Sequence, residues 1–214
     1  MTRAVLLALG LAAAALDVGA APQAGLRTVA NDDWCRDRDG DSRQERYCEV
    51  RDATWPAAGH IDVDASPNGG IEVTGWDRQE VHLEVKVVAT ADTEAEAREL
   101  ARRVQVETTG TIRATGPRGT RDSHWWASYR LSVPKTAILA LRSMNGGLSA
   151  RNVVGTLQLE TMNGGIDLAN IGGSVRGRTT NGGLNVHLEG SGWSGDGMDL
   201  TTTNGGVILS VPAS

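Results

Sequence analysis

The chain has 214 residues, 27 of them glycine and none phenylalanine, with a formal net charge of −5. The length suits one or two domains with real cores, and the Gly-rich, Phe-free composition suits a β fold with many bends. The charges are dispersed, with no basic stripe and no Lys/Arg cluster interleaved with aromatics, which argues against a nucleic-acid partner.

In chain order, residues 1–21 read as a secretory signal peptide. Arg3 supplies the positive end and Ala4 to Leu16 an apolar run too short to span a bilayer. Gly19-Ala20-Ala21 offers a cleavage site, so the mature chain is expected to start near Pro22 with no transmembrane segment. A retained N-terminal anchor is the competing reading. No cysteine follows the run closely enough for lipid attachment.

Residues 22–59 form a charged, turn-rich segment holding both cysteines, Cys35 and Cys48. In an exported chain these are expected to close one disulfide. The spacing is not that of a Cys-x-x-Cys redox pair, and no histidine accompanies them for zinc. Asp37, Asp39 and Asp41 alternate as calcium ligands can, yet the closing glutamate and the expected glycine are missing, so a solvated loop is the plainer reading. No cofactor is expected.

Residues 60–134 read as strands around one helix. Ile61 and Val63 mark a short strand. Val81, Leu83, Val85 and Val87 alternate strictly, leaving His82 on the polar face. Thr93 and Glu96 have the form of a capping box, with acids early and Arg98, Arg102 and Arg103 late, so a helix is expected over about 93–104. Strands resume at Val104 to Glu107 and at Thr111 to Thr115, and Gly116 to Gly119 reads as a turn. Tyr129, Leu131 and Val133 share one face of the next strand, so one of the adjacent Trp125 and Trp126 must point the other way. An exposed indole there could stack on a sugar or a partner, whereas packing under a loop is its structural alternative.

From residue 135 to 214 the chain repeats. Asn-Gly-Gly stands at Asn145, Asn163, Asn181 and Asn204, in steps of 18, 18 and 23 residues. Three residues after each Asn come Leu148, Ile166, Leu184 and Val207. Five after come Ala150, Leu168, Val186 and Leu209. Six before come Leu139, Leu157, Val175 and Met198. Offsets differing by two place these side chains on one face of extended strands. A constant step with constant phase predicts a mainly β chain ending in a parallel β-solenoid, each rung covering its neighbour. Antiparallel hairpins compete, because Asn-Gly also favours hairpin turns. Each rung should hold two strands, one bend at Asn-Gly-Gly and a second near Gly155 or Gly172-Gly173. Ser143, Thr161, Thr179 and Thr202 form a hydroxyl column, the Asn column could form an amide ladder, and Arg142, Glu160 and Arg178 could pair along the outside. Asn68-Gly-Gly carries the same motif 77 residues before the array.

The longer last step inserts a loop around Trp193 and Asp196, which with Trp125 and Trp126 are the candidate partner-binding residues. Folding of Trp193 back over the last rung is the competing reading. The final rung has unpaired backbone and invites edge-to-edge self-association.

The order of features is similar to that of the DUF4097 family, adhesin-like β-strand repeat proteins of bacterial envelopes. The residues that carry it are Tyr129-Arg-Leu-Ser-Val-Pro134, then Ser-Met-Asn145-Gly-Gly and its copies, over about residues 60–211. The resemblance implies a right-handed parallel β-solenoid and no established catalytic residues. The Cys35/Cys48 segment and the Trp193 insertion depart from it.

The expected function is an exported, non-enzymatic envelope protein, periplasmic or at the cell surface, that presents its β surface to an envelope protein or glycan. An envelope-stress sensor module is an alternative. A polysaccharide-cleaving enzyme is the rival from another class. It would draw on Asp167 and His187, at outward offsets one rung apart, and on Asp199, but a second carboxylate at a fitting position is missing.

Overall fold

The computed structural model describes residues 25–29, 33–36, 44–189 and 193–211. The signal-peptide reading, the Asp37/Asp39/Asp41 loop and Pro212 fall outside the described residues.

Strands β1 (Arg27–Val29), β2 (Glu45–Pro56), β3 (His60–Asp64), β4 (Ile71–Trp76) and β5 (Glu80–Ala91) precede helix α1 (Glu94–Arg102). After it come β6 (Gln105–Glu107), β7 (Thr111–Thr115) and β8 (His124–Pro134). The array is β9 (Ile138–Asn145), β10 (Leu148–Arg151), β11 (Val154–Asn163), β12 (Ile166–Ala169), β13 (Gly172–Asn181), β14 (Leu184–His187), β15 (Gly197–Asn204) and β16 (Val207–Ser210).

Two sheets result. One has nine strands in the order β1-β2-β5-β8-β4-β10-β12-β14-β16, the other seven in the order β15-β13-β11-β9-β3-β7-β6. The described residues are mainly β with one α-helix, and the sheets are mixed and open at both edges. From β4 to β16 the neighbours are parallel, whereas β1, β2, β5 and β8 pair antiparallel.

In the array the chain changes sheet at every Asn-Gly-Gly. The strands flanking each bend are not paired with each other, so these are not hairpins. Strands one repeat apart pair in parallel, with Leu148 beside Ile166, Ile166 beside Leu184, and Asn145, Asn163, Asn181 and Asn204 in one file. The five extra residues before β15 leave that register intact. Leu139, Leu157 and Val175 on one sheet and Leu148, Ile166 and Leu184 on the other are buried in a continuous core. Gly177 stands where other rungs have leucine, and the Leu200 side chain of the next rung occupies the space.

The first Asn-Gly-Gly belongs to the same stack. β3 lies beside β9, β4 beside β10, and Asn68 bridges to Asn145. Residues 77 apart in sequence are thus one rung apart in space, and β5 to β8 form an excursion between them. Helix α1 closes that end of the core with Ala97 and Ala101, its capping box formed by Thr93 and Glu96 as the sequence indicates. The Arg51 guanidinium donates to the carbonyls of Ala101 and Val104 at 2.8 and 2.6 Å, tying the helix C-terminus to β2.

Three features explain the constant motif. The Asn side chains form an amide ladder, each Nδ2 donating to the Oδ1 one rung before, at 2.8–3.0 Å. The first Gly of each motif leaves no room for a side chain, since a Cβ on Gly146, Gly164, Gly182 or Gly205 would lie 2.0–2.1 Å from the carbonyl oxygen below. That same oxygen accepts the hydroxyl of Ser143, Thr161, Thr179 or Thr202. The hydroxyl column therefore bonds to the preceding rung's backbone rather than to itself.

Two details differ from expectation. The second bend turns at Asn152 and Asn170, both with positive φ, just before the expected glycines. Asn tolerates that conformation because its short polar side chain can bond locally. The charged column does not pair internally: Arg142 binds Asp62 at 2.8 Å, one strand nearer the N-terminus. His82 is half-buried and hydrogen-bonds Thr54 across the strands at 2.9 Å.

Candidate functional site

Alternate residues of each strand face outward. On the nine-stranded sheet the parallel register turns this into a file of Arg130, Glu72, Ser149, Asp167, Asn185 and Ile208, one from each of six adjacent strands. The file is internally bonded. Glu72 receives Arg130 at 3.3 Å and also Arg151, and Asn185 Nδ2 donates to Asp167 at 2.8 Å. Two shallow depressions of about 310 and 430 Å³ follow it.

Trp34 sits at one end of this file. It belongs to a short 3-10 turn, Asp33–Cys35, and the Cys35–Cys48 disulfide fastens that turn to β2. The Arg130 guanidinium lies 3.9 Å from the indole centroid and the Lys86 ammonium 5.0 Å, both within cation–π range. The disulfide thus holds an aromatic wall against the polar file. Sequence reading missed Trp34, although its place next to a bonded cysteine was a usable sign.

Trp125 and Trp126 divide as the alternation requires. Trp125 shares the inward phase of Ala127 and Tyr129, packs under the 116–119 loop, and donates Nε1–H to Pro117 at 2.8 Å. Trp126 faces out, half-exposed, with its ring stacked on His124 at 5.9 Å between centroids. Both line a cleft of about 350 Å³, together with Pro67, Asn68, Arg118 and His124. Tyr129 forms its floor, and burial pushes the phenol above its usual range.

Trp193 folds back against the core, and its indole N–H is buried without a hydrogen-bond partner among the described residues. Asp196 is exposed on the same loop. The loop returns to the stack through Gly173, whose N–H donates to Ser194 at 2.6 Å. Trp193 and Asp196 are therefore remote in sequence and fold from the Trp125/Trp126 cleft. The described residues unite the first pair on one loop and the second pair around one cleft.

The residues weighed for catalysis do not converge. Asp167 bonds Asn185, His187 faces Glu189 at 3.7 Å, and Asp199 lies on the other sheet facing Arg176 at 3.5 Å. Among the described residues no group of three or more His, Cys, Asp or Glu is placed to hold a metal ion. No described helix is long and apolar enough to cross a membrane.

No family model matches the sequence, and no curated protein matches it. Among solved structures, the chain is similar to a candidate cell adhesion protein from Clostridium sporogenes, at 8% identity and TM-score 0.45, over 75% of this chain and 99% of that one. A candidate adhesin from Parabacteroides distasonis matches at 10% identity and TM-score 0.29, over 76% and 97%. Another from Bacteroides fragilis matches at 11% identity and TM-score 0.32, over 76% and 97%. These are likenesses of shape at low identity, and no activity is transferred from them.

Proposed function

We propose that the chain is an exported, non-enzymatic, adhesin-like protein of the bacterial envelope, whose rungs from Ile138 onward act as a β-solenoid scaffold for binding a glycan or a protein partner. The observation that carries this reading is the polar file from Arg130 to Asn185, bonded at Arg130–Glu72 and Asn185–Asp167, with Trp34 pinned at its end. Polar side chains held in register on a rigid sheet give a fixed set of donors and acceptors, and function resides in what such a scaffold carries. The disulfide favours an oxidising compartment. Kinship with the DUF4097 family rests on the Tyr129 to Pro134 strand and the Asn-Gly-Gly rungs that follow it.

A cosedimentation assay with isolated envelope polysaccharide and peptidoglycan tests the reading. The wild-type protein should pellet with one of them, and the double variant Asp167→Ala/Asn185→Ala should pellet less. Wild-type protein that pellets with neither, or a double variant that pellets equally, overturns it. Release of new reducing ends by wild type but not by His187→Ala would replace binding with catalysis.

A further inference from the structure

The amide ladder has a direction. Asn145, Asn163, Asn181 and Asn204 each give one Nδ2 hydrogen to the Oδ1 of the rung before. Asn68 is the first member. Its Oδ1 accepts from Asn145, and its own Nδ2 has no hydrogen-bond partner among the described residues. In a planar carboxamide the oxygen and nitrogen point apart, so that donor faces away from Asn145, beyond the first rung. Asn68 also lines the 350 Å³ cleft beside Trp125, Trp126, His124 and Arg118.

We propose that this cleft binds an N-acetylated amino sugar, whose acetamido carbonyl accepts from the Asn68 side chain beside Trp126. The inference goes beyond the binding reading above, because it adds a second site apart from the Arg130 to Ile208 file. An acetamide presents the same planar C=O and N–H as an asparagine side chain, so its carbonyl accepts from Asn68 Nδ2 as each ladder member accepts from the next. The pyranose ring supplies the apolar C–H face that an indole covers, with hydroxyls left toward solvent. The cleft volume is at the low end for ligand sites, fitting one ring-sized unit. Its one permanent charge, Arg118, is compatible with a neutral sugar or an acidic neighbouring unit. A polypeptide asparagine or main-chain amide would satisfy the donor equally, but would leave the half-exposed face of Trp126 without a ring to cover.

Calorimetric titration with chitotriose, cellotriose and the deacetylated glucosamine trimer tests this. Chitotriose should bind saturably and about tenfold or more tightly than either trimer lacking the acetamide. Asn68→Asp keeps the acceptor that Asn145 needs and removes the free donor, so it should weaken chitotriose about tenfold with an unchanged melting profile. Trp126→Ala should weaken it comparably. Asn204→Asp, at the other end of the ladder, should leave it unchanged. Equal binding of cellotriose, no binding of chitotriose, or unchanged binding by Asn68→Asp overturns the proposal. Tighter binding of a short asparagine-containing peptide than of chitotriose also overturns it and assigns the cleft to a polypeptide. Failure here removes this inference alone and leaves the reading of the Arg130 to Ile208 file to its own cosedimentation test.

Discussion

Thr161 donates its hydroxyl hydrogen to the carbonyl oxygen of Gly146, one rung before it, at 2.9 Å. The same oxygen lies 2.1 Å from where a Cβ on Gly164 would be. One backbone atom therefore explains both the hydroxyl two residues before each Asn and the glycine after it. Thr161→Val leaves a part-buried carbonyl without its hydroxyl donor and should cost about 1 kcal/mol. Gly164→Ala must displace backbone and should cost about 3 kcal/mol or more. Gly147→Ala, where the nearest atom is 3.6 Å away, should cost under about 1 kcal/mol. Urea unfolding of the three variants checks the order.

Reduction of Cys35–Cys48 should release Trp34 from Arg130 and Lys86. The bond closes a loop of sequence separation 13, for which chain entropy gives about 3 kcal/mol. Tryptophan near-ultraviolet dichroism should change on reduction before the sheets melt. An unchanged spectrum in the fully reduced protein would mean that Trp34 is held by other contacts.

Stability should fall at high pH because of Tyr129. Burial raises the pKa of its phenol in the folded state, so the unfolded chain releases that proton first. The contribution is complete below the unfolded tyrosine value of about 10 and declines as pH rises above it. Tyr47 is raised as well, mainly by burial. Tyr129→Phe should flatten most of the alkaline slope in thermal melts, and a slope equal to wild type would assign it elsewhere.

At low pH the first strand should loosen. The Arg27 side chain hydrogen-bonds Asp52 and holds its carboxyl below the usual carboxylate range. A depressed pKa contributes stability that is present above the unfolded value of about 3.9 and lost as pH falls through the folded one. Amide protection factors in β1, referenced to the unfolded chain at the same pH, should therefore fall below about pH 4, while Arg27→Ala should show the lower protection already at neutral pH.

The strand phase and the parallel pairing of strands one motif apart were legible in the sequence because both are local and recur. Apolar offsets of −6, +3 and +5 around each Asn of the array follow from strand alternation alone, and the Asn68 motif was visible too. Its partner was not, since nothing local says that β5 to β8 leave and return between two adjacent rungs. The antiparallel pairing of β2, β5 and β8 is non-local in the same way. Asn152 and Asn170 recur 18 residues apart at the second bend, a sign overlooked in favour of the more conspicuous glycines. The Arg142 to Glu160 pairing failed because Asp62, brought alongside by the Asn68 rung, offers Arg142 a partner first. For the candidate site, alternation separated Trp125 from Trp126, but the donor on Asn68 emerges only when the ladder's direction is known.

Backbone and methyl NOE spectroscopy on the labelled protein tests the stacked register most directly. Methyl contacts from Leu148 to Ile166 and from Ile166 to Leu184, with amide-to-α contacts between strands one repeat apart, are the predicted result. Strong α-to-α contacts between those strands, or no contact among the three side chains, would contradict it.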